Sequence, residues 1–370
     1  MNRYILHFKK FDWLIVTLTL LLVSLGLLSI YSTSGISNES GLSVFWKQCL
    51  FVLIGLILML GVSSVDYRSF RSYANIFYVI GFLLLGVVLI FGTQIRGTTG
   101  WIYIFGFSFQ PVELVKLFLI IMLARYFSRP GENVHRPKHI MISGLIALVY
   151  IIMVFLQPDF GSALIYFLIW VTLIFLLNIK RSYIITILLI ILIIGSIGWL
   201  GLKDYQKERL TTFVNPNRDT LKTGYNITQS IISIGSGRIW GRGLGSGSQS
   251  QLKFLPEQQN DFIFAVIAEE LGFVGASLVI IFFGVLFYRL LKIARSSPDD
   301  FSLFSASGII IMIYVQMLVN ISMNMGLVPV VGIPLPFVSA GGSSLVTNFI
   351  ALGFIQSIIV HRPVMIRRSI

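Results

Sequence analysis

The chain has 370 residues, of which 56% are hydrophobic and 12% are charged, and its mean hydropathy is +0.87. Soluble domains usually carry about 25% charged residues, so this composition excludes a soluble protein and predicts an integral membrane protein. The formal net charge is +13, yet no soluble segment is present to offer a groove or recognition helix, which argues against nucleic-acid binding.

Apolar runs in chain order predict the membrane spans. The first run follows Lys9 and Lys10, but it is too long for a signal peptide and lacks a small-residue cleavage site. Each run approaches the roughly 20 residues that a helix needs to cross a bilayer. The sequence therefore predicts an all-α membrane protein with about ten transmembrane helices in a single polytopic domain, residues 1–370. The runs lie at about 12–33, 44–63, 74–92, 112–128, 140–156, 161–178, 183–201, 262–290, 301–326 and 343–361.

Lysine and arginine predict the orientation of these spans. With a cytoplasmic N-terminus, the inner connections hold most basic residues, whereas the short outer segments hold only Lys47 and Arg96. The positive-inside rule therefore predicts that both termini are cytoplasmic and that the long connection 202–260 is extracytoplasmic. The basic inner face would lie against anionic lipid headgroups.

With this orientation, the polar residues of the spans concentrate in the outer half of the membrane. Ionisable residues inside a membrane are candidates for function, and a cluster on one side predicts a cavity open to the outer leaflet. The cluster and its flanking loop comprise Arg96, Glu113, Lys116, Asp159, Asp261, Gln316, Asn320, Asn324, Ser343 and Ser344.

Purely structural roles are alternatives for the same residues. Asp261 and Asp159 each directly precede an apolar helix, as N-cap residues do. Glu113 and Lys116, three residues apart, also suit a structural ion pair. The side-chain amides of Gln316, Asn320 and Asn324, at four-residue spacing, suit interhelical hydrogen bonds.

Two further acids, Glu269 and Glu270, lie inside an apolar helix. Glu269 is about 12 Å deeper than Asp261 at 1.5 Å per residue. This depth favours pairing with a cation such as Lys116 or Arg96, or helix packing, over chemistry on a surface-bound substrate.

The outer connection contains two distinct patterns. Residues 225–234 place isoleucines at helical spacing, which predicts an interfacial helix. Residues 235–251 are rich in glycine but lack the Gly-Lys-Ser/Thr of a nucleotide P-loop. Beside arginines such as Arg242, this segment suits either an anionic pyrophosphate or a merely mobile loop. The four histidines are well separated, which argues against a histidine metal site.

Five segments together resemble the SEDS family, named for shape, elongation, division and sporulation. The resemblance spans nearly the whole chain, and it is closer to the elongation members than to the division members. The segments are FQPVELVKL (109–117), QPDFGSA (157–163), GYNITQSIISIGSG (224–237), QSQLKFLPEQQNDFIFAVIAEELGFVG (249–275) and GLVPVVGIPLPFVSAGGSSL (326–345).

The resemblance implies a peptidoglycan glycosyltransferase that polymerises lipid II at the outer face of the bacterial cytoplasmic membrane during elongation and shape maintenance. The essential aspartate of the family falls on Asp261, which we expect to act as general base. Its conserved glutamate and lysine fall on Glu113 and Lys116. The other residues expected to contact substrate are Arg96, Asp159, Asn320, Ser343 and Arg242.

The resemblance also implies partners, namely lipid II, a class B penicillin-binding protein and other proteins of the elongation machinery. No cofactor is required by the sequence. A divalent cation, Mg²⁺ or Mn²⁺, is the alternative to Lys116, Arg96 or loop arginines for stabilising the departing pyrophosphate.

The chain departs from the family at two positions. Gly100 precedes Trp101 where the family carries a basic residue, and Ala340 replaces a tyrosine. Two other functions remain open, a lipid II flippase or transporter and a non-catalytic scaffold. The absence of an evident internal repeat and the outward position of the polar cluster favour surface chemistry over transport.

Overall fold

The computed structural model describes residues 10–34, 39–95, 98–104, 107–129, 137–177, 183, 223–252 and 254–362. Within these ranges, seven helices are long and apolar enough to cross a membrane. They are α1 (Trp13–Thr33), α2 (Glu39–Ser64), α3 (Tyr67–Phe91), α5 (Pro137–Leu156), α9 (Ile263–Arg295), α10 (Asp300–Asn324) and α11 (Gly342–Val360). All seven coincide with predicted spans, and the protein is a mostly helical, multi-pass membrane protein.

The remaining elements are shorter. These elements are α4 (Pro111–Phe127), α6 (Phe160–Phe175), α7 (Thr223–Ser236), α8 (Ser248–Gln251), β1 (Thr93–Ile95), β2 (Thr98–Ile104) and β3 (Phe107–Phe109). Helices α4 and α6 coincide with the predicted runs at 112–128 and 161–178. The predicted run at 183–201 lies outside the described residues apart from Tyr183.

The connection between α3 and α4 is an antiparallel sheet in the order β1-β2-β3. Thr93 pairs with Trp101, and Tyr103 pairs with Ser108. The all-α prediction is therefore wrong for this segment. Its threonines and aromatic residues suit a pleated surface, but three short strands give no signal in a search for spans of about 20 apolar residues.

Helix α4 lies at the centre of the bundle, in contact with α3, α5, α6, α10 and α11, and most of its residues are buried. Its 17 residues span about 26 Å at 1.5 Å per residue, less than the roughly 30 Å of a bilayer core. A short helix with charged residues is tolerated here because protein rather than lipid surrounds it. Helix α3 is peripheral, since only 22% of its most apolar stretch is buried.

The helices alternate in direction and define two ends of the bundle. At the Asp261 end, Asn324 of α10 binds the start of α9. At the opposite end, which we call the Asp12 end, the Tyr67 hydroxyl donates to Asp299 at 2.6 Å. This alternation agrees with the predicted crossing pattern, in which the Asp261 end faces outward.

Helix α9 is broken at Gly272, which has φ +67° and ψ −162°. The break removes the helical partners of two carbonyl groups and two amide groups, and inside a membrane protein such groups need replacements. The glycine-rich loop, residues 237–247, supplies all four through hydrogen bonds of 2.8–3.2 Å. These join Arg242 N–H to Glu269 C=O, Gly243 N–H to Glu270 C=O, Phe273 N–H to Arg238 C=O and Val274 N–H to Ile239 C=O.

Because this loop is bonded to the break, it is a packed part of the fold, and the alternative of a merely mobile loop is wrong for the described residues. The predicted helix at 225–234 is confirmed as α7. Its Ser230 hydroxyl donates to the carbonyl of Asn324 at 2.7 Å, so α7 ties the outer connection to α10.

The break at Gly272 gives a stability prediction. In Gly272→Ala, a side chain must adopt a positive φ, and its Cβ would collide with the backbone of Ile239 and Gly241. We expect the free energy of unfolding to fall by about 1–3 kcal/mol, measured as a lower melting temperature of the purified protein in detergent.

Gly284→Ala is the matched control, because Gly284 lies on the same helix and its added Cβ meets nothing within 4 Å. It should be neutral or slightly stabilising, since alanine has the higher helix propensity. Equal melting temperatures for the two variants would contradict a structural role for the break.

Candidate functional site

Asp261 lies at the boundary between the outer connection and α9, and it is half-buried. The helix begins at Ile263 with Phe262 at the N-cap position, so the alternative interpretation of Asp261 as an N-cap residue is wrong by one residue. The Asp261 amide donates to the carbonyl of Glu257 at 3.1 Å. The backbone is thus held in a tight turn before the helix starts.

Two asparagines of α10 hold the start of α9 from the side. Asn320 and Asn324 each donate a side-chain hydrogen bond to the Asp261 carbonyl, at 3.0 and 2.9 Å. The Asn324 Oδ1 accepts from the amide of Ala265 at 3.1 Å. Since Ala265 is the third residue of the helix, Asn324 acts as a cap supplied by a neighbouring helix.

The connection from α10 to α11 lies next to Asp261 and Asn260. Gly332 has φ +71°, and a Cβ placed there would lie 3.7 Å from the Asp261 Oδ2, so the glycine keeps side-chain atoms away from the carboxylate. The Ser339 hydroxyl donates to the carbonyl of Asn260 at 2.6 Å. Gln48 of α2 holds the same connection, donating to the Ser339 carbonyl at 3.0 Å.

Glu113 and Lys116 form a buried ion pair in the first turns of α4. Lys116 Nζ lies 2.7 Å from Glu113 Oε1, and the lysine is fully buried. Gln316 of α10 donates to the second carboxylate oxygen of Glu113 at 3.4 Å. The predicted pair is confirmed, and its two charges largely neutralise each other where both are removed from water.

Asp159 lies beside this pair and is confirmed as the N-cap of α6. Its carboxylate accepts from the amide and the hydroxyl of Ser162 at 2.9 and 2.7 Å, and from the side chain of Gln110 at 3.5 Å. Burial raises the pKa of the Asp159 carboxyl, while the bonds from Ser162 and the charge of Lys116 act in the opposite direction. Asp159 and the ion pair therefore belong to one electrostatic cluster.

Ser343 fixes the start of the central helix. Its hydroxyl accepts a hydrogen bond from the Gln110 amide at 2.9 Å, and Gln110 is the N-cap residue of α4. Ser343 thus links α11 to α4 at the Asp261 end, and this backbone bond is its described polar contact.

Gln316, Asn320 and Asn324 form a polar stripe on one face of α10, and this stripe contacts both the Glu113–Lys116 pair and the backbone of Asp261. Gln316 binds Glu113, while Asn320, one turn farther along, binds the backbone of Asp261. Four residues of a helix rise about 6 Å. The ion pair and Asp261 are therefore held by successive turns of one helix, and the predicted interhelical hydrogen bonding of this stripe is confirmed.

The two deep acids bind groups of the outer connection and of α1. Glu269 accepts from the amides of Gln249 and Ser250 at 2.8 and 3.0 Å. Glu270 accepts from the hydroxyl of Ser32 and from the amide of Gly245. Within the described part of the chain, the predicted pairing with Lys116 is wrong, since that lysine binds Glu113.

Arg242 lies apart from the ion pair, exposed on the glycine-rich loop. Its guanidinium donates to the Ser236 carbonyl at 3.3 Å and the Ser248 hydroxyl at 3.0 Å. Arg96 lies outside the described residues. No group of three or more potential metal ligands of the His, Cys, Asp and Glu types occurs within the described ranges.

Sequence reasoning missed Gln48 and the trans-capping role of Asn324. A lone amide within the apolar run 44–63 was the available signal for Gln48, because a buried amide needs partners. For Asn324 the spacing indicated a polar face, but the partner of that face became visible only in the packed helices.

A family model described as cell cycle protein, covering FtsW, RodA and SpoVE, matches residues 12–363. The chain is 37% identical to stage V sporulation protein E of Bacillus subtilis strain 168, over 94% of this chain and 96% of that protein. It is 36% identical to the peptidoglycan glycosyltransferase MrdB of Escherichia coli K12, over 96% and 97%. The chain therefore belongs to the FtsW/RodA/SpoVE family, the SEDS proteins.

Solved structures agree with this assignment. A chain of a peptidoglycan synthase complex, described as coordinating polymerization and crosslinking, superposes with a TM-score of 0.82 at 28% identity, covering 94% of this chain and 97% of that one. A mutant form of the rod shape determining protein RodA of Thermus thermophilus gives a TM-score of 0.71 at 26% identity, covering 95% and 97%.

The cap that Asn324 supplies to α9 from the neighbouring helix predicts that removing its side chain lowers stability. In Asn324→Ala, the Ala265 amide keeps only its bond to the Phe262 carbonyl, and the Asp261 carbonyl keeps only its bond from Asn320. The variant therefore loses the cap without leaving either group unpaired, and the loss of a helix cap costs about 0.5–2 kcal/mol. We expect a correspondingly lower free energy of unfolding, measured by denaturant or thermal melting in detergent.

Asn348→Ala is the matched control, because Asn348 is equally buried but its side chain makes one 3.4 Å bond, to Ser344, and its Oδ1 has no described partner. Its loss of stability should be clearly smaller. If the two alanine variants lose the same amount of stability relative to wild type, the capping role of Asn324 is excluded.

The ion pair predicts non-additive losses. Lys116→Met leaves a buried carboxylate without its cation, which costs about 3–5 kcal/mol. The double variant Glu113→Gln, Lys116→Met removes both charges and should recover much of that loss. A double-mutant cycle on unfolding free energies measures the coupling, and additive losses would contradict it.

Proposed function

We propose that this protein is a glycosyltransferase that polymerises lipid II into peptidoglycan strands, with Asp261 as the general base. The observation that carries the proposal is the contrast between the acids of the site. Glu113, Glu269 and Glu270 are buried, whereas Asp261 is half-buried, with its backbone held by Asn320 and Asn324.

In the proposed reaction, the 4-hydroxyl of the acceptor sugar attacks the anomeric carbon of the donor. Asp261 takes the hydroxyl proton as the new glycosidic bond forms. The bond from the anomeric carbon to the pyrophosphate oxygen breaks, and undecaprenyl pyrophosphate leaves. A positioned base of this kind contributes roughly 10²–10⁴-fold to the rate.

The buried ion pair suits a structural role in this chemistry. Lys116 is fully buried and lies 2.7 Å from Glu113, so its charge is already balanced. We infer that Glu113, Lys116 and Gln316 shape the wall of the predicted substrate cavity. The charge that stabilises the leaving pyrophosphate then comes from loop arginines, Arg96 or a divalent cation.

The relatives support this activity and suggest its setting. MrdB is named a peptidoglycan glycosyltransferase, and the matched complex is described as joining polymerization to crosslinking. We propose that this chain likewise acts with a crosslinking partner, a class B penicillin-binding protein. The name of the Thermus protein refers to rod shape, which supports a role in elongation, with the Asp261 end facing outward from the cytoplasmic membrane.

The proposed base predicts that Asp261→Asn lowers lipid II polymerisation by about 10²–10⁴-fold. The melting temperature should change little, because Asp261 lies outside the N-cap position and asparagine has nearly the same size. The measurement is glycan-chain formation by purified protein with lipid II in detergent. A flippase or a scaffold yields no polymer even as wild type.

Asp66→Asn is the matched control, since Asp66 caps α3 at the Asp12 end and asparagine caps equally well. It should polymerise at the normal rate. Normal polymerisation by Asp261→Asn would disprove the base role. Repeating both assays with EDTA tests the divalent cation, because a metal-dependent reaction stops for wild type and control alike.

A further inference from the structure

A basic cavity lies at the Asp12 end of the bundle, opposite the candidate active site. It has a volume of about 200 Å³ and forms where the start of α1 meets the ends of α9 and α11. Three cations line it, Arg289, Lys292 and Arg362, together with one carboxylate, Asp12. None of these residues contributes to the proposed glycosyl transfer.

One of the cations is held rigidly. The Arg289 Nε lies 2.6 Å from the Asp12 Oδ2. Asp12 is fixed in turn by Gln356, whose side-chain amide accepts from the Asp12 N–H and donates to its carbonyl, both at 3.0 Å. Within the described chain, no acceptor engages the two terminal Nη groups of Arg289. This planar fork is therefore oriented and available for an oxyanion.

The other two cations leave the cavity positively charged. Lys292 and Arg362 are exposed, and the side chain of neither makes a hydrogen bond or ion pair with any described residue. The single carboxylate of the cavity, Asp12, already binds Arg289. An anion entering the cavity would meet two uncompensated charges as well as the guanidinium.

The rest of the lining is partly apolar, with Ile293, Ile358 and Ile359 beside the cations. A volume of about 200 Å³ is below the range of about 300–1,000 Å³ for pockets that enclose a drug-sized ligand. The cavity therefore suits one small charged group whose apolar remainder lies outside, along the helices. A phospholipid has this combination, whereas free phosphate would leave the apolar lining unused.

We propose that this cavity binds the phosphate of an anionic phospholipid, with Arg289, Lys292 and Arg362 as its ligands. The Asp12 end is the end at which the positive-inside rule predicts the inner leaflet, and basic pockets between helices on that side suit anionic headgroups.

The test measures lipid binding by the full-length protein, delipidated in a neutral detergent. Binding of palmitoyl-oleoyl phosphatidylglycerol is titrated by native mass spectrometry, with phosphatidylcholine and inorganic phosphate as parallel arms. In the double variant Lys292→Gln, Arg362→Gln, we expect affinity for phosphatidylglycerol to fall on the order of 30-fold, since each charge contributes roughly five-fold. Both residues are exposed, and the melting temperature verifies folding.

The matched control is Arg68→Gln, Arg295→Gln, which removes two exposed charges at the same end but outside the cavity. It should bind phosphatidylglycerol within about two-fold of wild type. Unchanged affinity in the cavity variant, or an equal loss in the control, overturns the proposal. Inorganic phosphate that displaces the lipid at equal concentration also overturns it, in favour of a free-anion site.

Discussion

The structure depends on one constraint, that backbone amides and carbonyls surrounded by apolar groups must find partners inside the protein. The start of α9 meets it through Asn324, which caps the helix from α10. The break at Gly272 meets it through the glycine-rich loop, which supplies four replacement hydrogen bonds. The start of α4 meets it through Ser343. All three solutions lie toward the Asp261 end, so satisfying the backbone also assembles the site.

The same constraint separates the acids by role. Glu269 and Glu270 accept hydrogen bonds from the outer connection, and Glu113 pairs with Lys116. These carboxylates are committed to protein partners, because burying an isolated charge costs far more than burying a paired one. Asp261 differs in being half-buried, and two asparagines of α10 hold its backbone carbonyl. A rigidly held backbone fixes the position of a reacting side chain, as acid–base chemistry requires.

The polar stripe on α10 shows how much of the site can be predicted from the spacing of residues in the sequence. Spacing placed Gln316, Asn320 and Asn324 on one face, and topology put that face at the same end as Asp261. The pattern did not reveal that Asn324 replaces a helix cap, because the hydrogen bond joins residues 59 apart in the chain. Motif resemblance selected Asp261, whereas the local pattern also allowed a capping role that the structure assigns to the next position, Phe262.

The sequence by itself determined the membrane class, the seven long apolar helices, the Glu113–Lys116 pair and the family. These follow from composition, from runs matching the bilayer thickness and from residues three apart on one helix. Tertiary structure decided the rest. The broken helix at Gly272 and the partners of Glu269 and Glu270 depend on contacts between separate segments, which leave no local periodicity in the sequence. The three-stranded sheet is local, but its strands are too short to give a signal in a search for membrane-spanning runs.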